Sequence, residues 1–339
     1  MPDLCYHPAG SIVHCMRCDI DLYCRDCAFR ITDFSDNYCN ACFEEHSTSP
    51  EDYCGNCNRP GYEIDCYECS NCADCCICYI HNYEYKPERF KFYGKNGKTN
   101  DIFMGIELEV ENTGNTSRKD AAKRILDIAN PFIYCKDDGS LENGIEIVSH
   151  PATLQYHLTS GYWDLILKFL KEKLYKSHDT ETCGLHVHVG KKELTALQTS
   201  KIKFFTENNI EFVEALSRRT RNSYCRAIGK KKQGIKVGQY LNTTDRYEAV
   251  NLTNESTIEF RTFRGTLNKN TLFATLEYIY LLVKFVDTIS VIQSLEENIY
   301  LKYIEFISGK TQYLENYLSR VLGISKKQID KTERESVCV

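Results

Sequence analysis

The sequence predicts an α+β domain over residues 101–324, preceded by a small cysteine-rich module over residues 1–83. Two observations carry the division. Fifteen of the 19 cysteines lie between Cys5 and Cys78. Residues 1–85 hold fifteen acidic against four basic side chains, a formal −11, whereas the rest of the chain is +6. A third observation gives the class: beyond Asp101, apolar residues recur alternately at period two and near period 3.6, so strands should interleave with helices. Residues 84–100 set Pro87, Gly94 and Gly97 among Lys, Arg and Tyr and read as a linker. Residues 325–339 read as a polar tail.

The module's cysteines come as Cys15/Cys18, Cys24/Cys27, Cys39/Cys42, Cys54/Cys57, Cys66/Cys69 and Cys72/Cys75. Two thiolates separated by two residues bind half of a tetrahedral Zn²⁺ site, and a second pair completes it. Structural zinc then replaces the apolar core that a short, acidic, loop-rich segment lacks. An iron–sulfur cluster and a disulfide scaffold are the alternatives. Disulfides need an oxidising compartment, and no secretory signal leads the chain. The negative charge disfavours nucleic acid as this module's partner and fits a protein partner better. With no run of about 18 apolar residues, no membrane span is expected and the setting reads as cytoplasmic.

Along the second domain, Ile102–Glu111 reads as a strand and Arg118–Ala129 as a helix ended by Pro131. Ile133–Cys135 and Ile145–His150 read as strands around the turn at Asp137–Leu141. Tyr162–Leu174 reads as a helix, His186–Val189 as a strand and Lys201–Leu216 as one helix. Tyr247–Leu252 and Thr257–Phe263 read as adjacent strands, and Asn270–Ile289 and Glu297–Leu322 as two long helices. Helices on one face of such a sheet leave the other open for chemistry.

Three of these strands carry polar groups at alternate positions: Glu107, Glu109 and Glu111; His186 and His188; Glu259 and Arg261. Residues i and i+2 of a strand share a face. Carboxylates so gathered suit hard divalent cations that share coordination with phosphates, and Asp138 and Glu146 add two more nearby. Arg261 would neutralise charge on a transferring phosphoryl group. Arg264 has the opposite parity and reaches that face only if a bulge or strand end at Gly265 intervenes. Segment 217–238 is basic and reads as a solvated loop, a phosphate clamp or, less favourably, a nucleic-acid contact. No P-loop and no Gly-x-Gly-x-x-Gly accompanies these residues.

In order, Gly105-x-Glu107-x-Glu109, Asp138-Gly-Ser140, Glu146-Ile-Val-Ser-x-Pro151, Gly184-Leu-His186-x-His188-x-Gly190 and Ile258-Glu259-Phe-Arg261-x-Phe263-x-Gly265-Thr266 resemble the amidoligase family of phages and bacteria. These are carboxylate–amine ligases related to glutamine synthetase and glutamate–cysteine ligase. The resemblance covers about residues 101–266 and leaves the cysteine module outside. It implies a glutamine synthetase-like antiparallel sheet that cradles Mg²⁺ and ATP and joins a carboxylate to an amine through an acyl phosphate. Glu107, Glu109, Glu146, His186 and Glu259 then match metal ligands, with His188 beside them. Asp138, Arg226, Arg261 and Arg264 match nucleotide and phosphate contacts. The substrates would be an amino acid, peptide or protein, in the host cytoplasm if the chain is phage-encoded. A phosphotransferase on the same sheet and a non-catalytic zinc adaptor are the competing readings.

Overall fold

The computed structural model describes residues 79–87, 89–94, 101–180, 182–220, 245–296 and 298–323, with six short backbone strands between Val13 and Cys72. The chain divides into two compact units, Met1–Glu88 and Arg89–Val339. In the first, strands pair as antiparallel ladders: β1 (Val13–His14) with β2 (Asp21–Leu22), β3 (Phe29–Arg30) with β4 (Asn37–Tyr38), and β5 (Ile64–Cys66) with β6 (Asn71–Cys72). Cys15, Cys18, Cys24, Cys27, Cys39, Cys42, Cys54, Cys57, Cys69 and Cys75 lie outside the described residues. For Cys66 and Cys72 only the backbone is described.

The second unit is a mixed α/β structure on an antiparallel sheet. Its strands are β7 (Phe103–Asn112), β8 (Ile133–Lys136), β9 (Gly144–Ser149), β10 (Ala152–Thr153), β11 (Tyr175–Lys176), β12 (Gly184–Gly190), β13 (Val250–Asn251) and β14 (Thr257–Arg264). The order is β13-β14-β12-β7-β9-β8, with β10 and β11 pairing the two ends of β7. β7 forms where the alternation predicts it. Met104, Ile106, Leu108 and Val110 are fully buried on one face, each contributing about 2 kcal/mol. Leu185, Val187, Val189, Ile145 and Ile147 continue that apolar face across β12 and β9.

Helix α1 (Arg118–Ala129) starts at Ser117, whose Oγ accepts from Asp120 N at 3.0 Å, and buries Ala121, Ala122, Ile125 and Ala129. A second, unexpected helix α2 (Leu154–Thr159) precedes α3 (Tyr162–Glu172). It is too short to show a period, and Thr153 caps it through Tyr156 N at 3.3 Å. Its His157 is fully buried between Trp163 Nε1, which donates to Nδ1 at 3.1 Å, and Met104 O, 2.9 Å from Nε2.

Two expected helices are broken. The segment read as Lys201–Leu216 is α4 (Ala196–Asn208) and α5 (Ile210–Ser217), joined at Asn209 with φ −112° and ψ 48°. The Asn209 amide turns back to donate to Phe205 O at 2.9 Å, the local competition with helix bonds typical of Asn. The segment read as Glu297–Leu322 is α7 (Ile299–Ile307) and α8 (Leu314–Leu322), the first ending at Ser308 before Gly309 at φ +70°. Between α5 and α7 in the chain, α6 (Lys269–Thr288) is buried on nearly every side. Its Glu277 carboxylate accepts the Gln312, Tyr313 and Leu314 N–H groups at 2.9, 2.9 and 2.8 Å, so a side chain of α6 caps α8. No described helix is long and apolar enough to cross a membrane.

Candidate active site

The face of the sheet opposite the apolar one is built in rows. Register sets Lys136, Glu146 and Glu109 side by side across β8, β9 and β7. The next row is Tyr134, Val148, Glu107 and His186, and the one after it Gly105, His188, Glu259 and Asn251. Paired residues share a face, so alternation along each strand and register between strands converge on one patch.

Within the patch, two groups of ligand atoms lie within 4.8 Å of one another: Glu107, His188 and Glu259, and Glu109, Asp138 and Glu146. His186 sits between them, its Nδ1 3.5 Å from Glu107, 3.7 Å from Glu109 and 3.8 Å from Glu259. His188 Nε2 is 3.2 Å from Glu107, and its Nδ1 is 3.0 Å from Thr257 Oγ1. Glu109 accepts from Gly184 N at 2.5 Å. Glu259 takes the Asn251 and Asn254 amides at 2.8 and 3.1 Å and pairs with Arg261.

The charges divide the groups. Burial acts to raise the Glu107 carboxyl, but His188 and His186 outweigh it and hold the group well below the usual carboxylate range. Glu259 is likewise lowered, because His188, His186 and Arg261 outweigh its burial. Burial acts to lower His188, yet Glu107 and then Glu259 lift it to about 9. In the second group burial raises Glu109. Glu146 is pushed well above the usual range by burial and by Glu107, Glu109 and Asp138, although Lys136 stands 3.3 Å from it. Three crowded carboxylates with so little opposing charge are a donor set that fits a hard divalent cation, and the imidazole-bearing group fits one as well.

Two arginines need tertiary detail. Register along β12 and β14 slips between the Val187–Phe260 and Leu185–Phe263 pairs, a bulge that adds one residue to β14. Phe260 and Phe263 therefore both face the core, and Arg264 falls opposite Gly184 on the polar face. The expected irregularity at Gly265 lies instead before Phe263. Arg219, from the basic segment, also reaches this patch: a Cβ placed on Gly184 would stand 3.3 Å from its Nη1. Arg226 lies outside the described residues, as do residues 221–244 as a whole. Cys183 is buried, its thiol pushed up by that burial to about 12, an environment that keeps it protonated.

Sequence reasoning missed the roles of Asn251, Asn254 and Lys136 and did not single out Arg219. Asn251 lay within the strand read at Tyr247–Leu252, whereas Lys136 fell one residue past the strand read at Ile133–Cys135. Nothing local marked Asn254, and Arg219 was marked only as one basic residue of segment 217–238.

Residues 108–233 match the family model described as "Putative amidoligase enzyme". Over that span the chain is similar to the amidoligase family. That description supports an amide-bond ligase, acting on a carboxylate and an amine. The matched amidoligase span holds Glu109, Asp138, Glu146, His186 and His188, begins one residue after Glu107, and ends before Glu259 and Arg261. No curated protein matched the chain.

Proposed function

We propose that the second domain is an ATP-dependent carboxylate–amine ligase that makes a peptide or isopeptide bond through an acyl phosphate, on a glutamine synthetase-like sheet. The observation that carries the reading is the meeting of the two ligand groups on one face, with His186 between them and arginines beside them. Glu107, His188 and Glu259 would hold one cation and Glu109, Asp138 and Glu146 another. Mg²⁺ would suit their oxygen-rich donor sets and, when bound, would supply positive charge to offset that of phosphate oxygens.

The chain's own residues then have separate tasks. Arg261, oriented by Glu259, and Arg264 and Arg219 present guanidinium groups to the phosphoryl oxygens. A substrate carboxylate oxygen attacks the γ-phosphorus, and ADP leaves. An amine nitrogen attacks the acyl carbon, phosphate departs and the nitrogen releases its proton. Burial of Glu109, Glu146 and Glu259 restricts water near the acyl phosphate, which favours the amine over hydrolysis.

Residues 1–83 belong to this reading as a separate, zinc-held module that docks a protein partner, in a cytoplasmic setting. Its support is the cysteine spacing.

The test is ADP release by the full chain with Mg²⁺ and ATP, in the presence and absence of candidate amines and carboxylates, with mass spectrometry of the products. Amine-dependent turnover and a product lighter by water than its two substrates support the ligase. Amine-independent phosphorylation replaces it with a phosphotransferase, and no turnover with a binding protein.

A further inference from the structure

Glu111 is the acid of the first alternating run to which the proposed chemistry gives no task. It belongs to neither ligand group, and both of its oxygens are engaged. Oε1 accepts from Glu142 N at 2.8 Å and Oε2 from Asn143 N at 3.0 Å. Beside them, Asn112 N donates to Asn143 O at 3.2 Å, and Glu111 is the register partner of Gly144. Gly144 allows this close approach, since a Cβ there would lie 2.3 Å from Val110 O. One end of the loop between β8 and β9 is therefore fastened to β7.

The other end is fastened to α1, where Arg118 pairs with Asp137. Between the two anchors stands Asp138. Its Oδ1 accepts from Ser140 N at 2.7 Å and its backbone oxygen from Leu141 N at 3.1 Å, which folds the loop tightly around it. From that turn its carboxylate meets Glu109, on the same strand as Glu111, and Glu146, two residues beyond Gly144. Glu111 is thus joined by strand and loop backbone to all three members of the second ligand group.

We propose that Glu111 is a positioning residue. By clamping Glu142 and Asn143 it holds the Asp138 carboxylate against Glu109 and Glu146, and so sets the affinity of that group for a divalent cation. The inference rests on the metal reading proposed above. The clamp requires a carboxylate: two N–H groups need two acceptor oxygens, whereas a Gln offers one and turns a donor towards the second N–H.

The experiment is Mn²⁺ binding to the full chain, freed of divalent ions at the candidate site, followed by electron paramagnetic resonance and calorimetry. Wild type, Glu111→Gln, Asp138→Asn and the double variant are compared, with thermal melts of each. The wild type should bind two ions. Glu111→Gln should weaken one of them about 10–100-fold, as Asp138→Asn does, and leave the other unchanged. The double variant should bind no more weakly than Asp138→Asn alone, because both changes break one linkage. Wild-type binding of both ions by Glu111→Gln overturns the positioning role alone, as does full additivity with Asp138→Asn. Failure of the wild type to bind Mn²⁺ at these groups overturns the metal reading as well. Should Glu111→Gln fail to fold, Glu111→Asp, which withdraws both acceptors by one methylene, carries the same test under the same criteria.

Discussion

Gly184 stands where any side chain would strike His186: a Cβ there would lie 2.7 Å from the imidazole Nε2. The glycine also donates its N–H to Glu109 and faces Arg264 across the ladder. Its missing side chain is what lets one imidazole rest among three carboxylates. Its φ lies outside the left-handed region, so substitution acts through steric contact and not through the backbone. Gly184→Ala should displace the His186 ring and lower ligase turnover by about 100-fold while melting within a few degrees of wild type. Steady-state ADP release beside a thermal melt measures both, and unchanged turnover would remove His186 from the centre of the site.

Glu107→Gln and Glu259→Gln each remove one charge from the imidazole-bearing group. Each should reduce Mg-ATP turnover by at least about 100-fold with the circular dichroism spectrum preserved. If both variants turn over like wild type, the assignment of this group to a cation is wrong.

Glu277 tests the fold apart from the site. Its buried carboxylate receives three N–H groups at the start of α8, from a helix more than thirty residues earlier. Glu277→Ala leaves those donors without their acceptor and should cost about 3 kcal/mol, seen as a shifted urea midpoint. Glu277→Gln keeps one acceptor and should cost less. Equal midpoints for all three proteins would show that the cap contributes nothing.

His157 makes stability depend on acid. It titrates near 6.5 when exposed and at about 4 in the fold, chiefly because burial disfavours its charged form. Between these values the unfolded chain binds a proton that the folded chain does not. The stability contributed by neutral His157 is therefore whole above pH 6.5 and is lost as pH falls towards 4, by about 3 kcal/mol. The Trp163 donor aimed at Nδ1 supplies a second reason, since a protonated ring would bring N–H against N–H. The advantage of wild type over His157→Gln in denaturant unfolding should shrink by about that amount between pH 7 and 4. A constant difference across the range would show that His157 does not carry the effect.

For residues 1–83, elemental analysis after reducing, metal-replete preparation should find at least about two zinc ions per chain. Chelation should unfold the module, read by trypsin susceptibility, and a zinc-free protein from that preparation would exclude the finger reading.

Strand β7 was legible because Met104, Ile106, Leu108 and Val110 alternate with polar residues or glycine, and α1 because its apolar residues recur at helical spacing before Pro131. The helix breaks were not. Asn209 is a weak signal between two apolar stretches, and the cap on α8 comes from Glu277, far away in the chain. The face of Arg264 stayed conditional on a bulge for the same kind of reason. A bulge is a property of two paired strands, and parity counted along one strand cannot contain it.

The sequence by itself determined which residues share a strand face, because alternation is a local property of the extended backbone. Glu107 with Glu109, His186 with His188 and Glu259 with Arg261 follow from that alone. Only the tertiary structure decided which of them meet. Register between strands places Glu259 beside His188 and Glu109 beside Glu146, and packing chose His186 as the group between the two ligand sets. Those neighbours are separated by tens of residues, and their proximity is set by how the buried apolar face closes, a condition on the whole sheet that no single segment expresses.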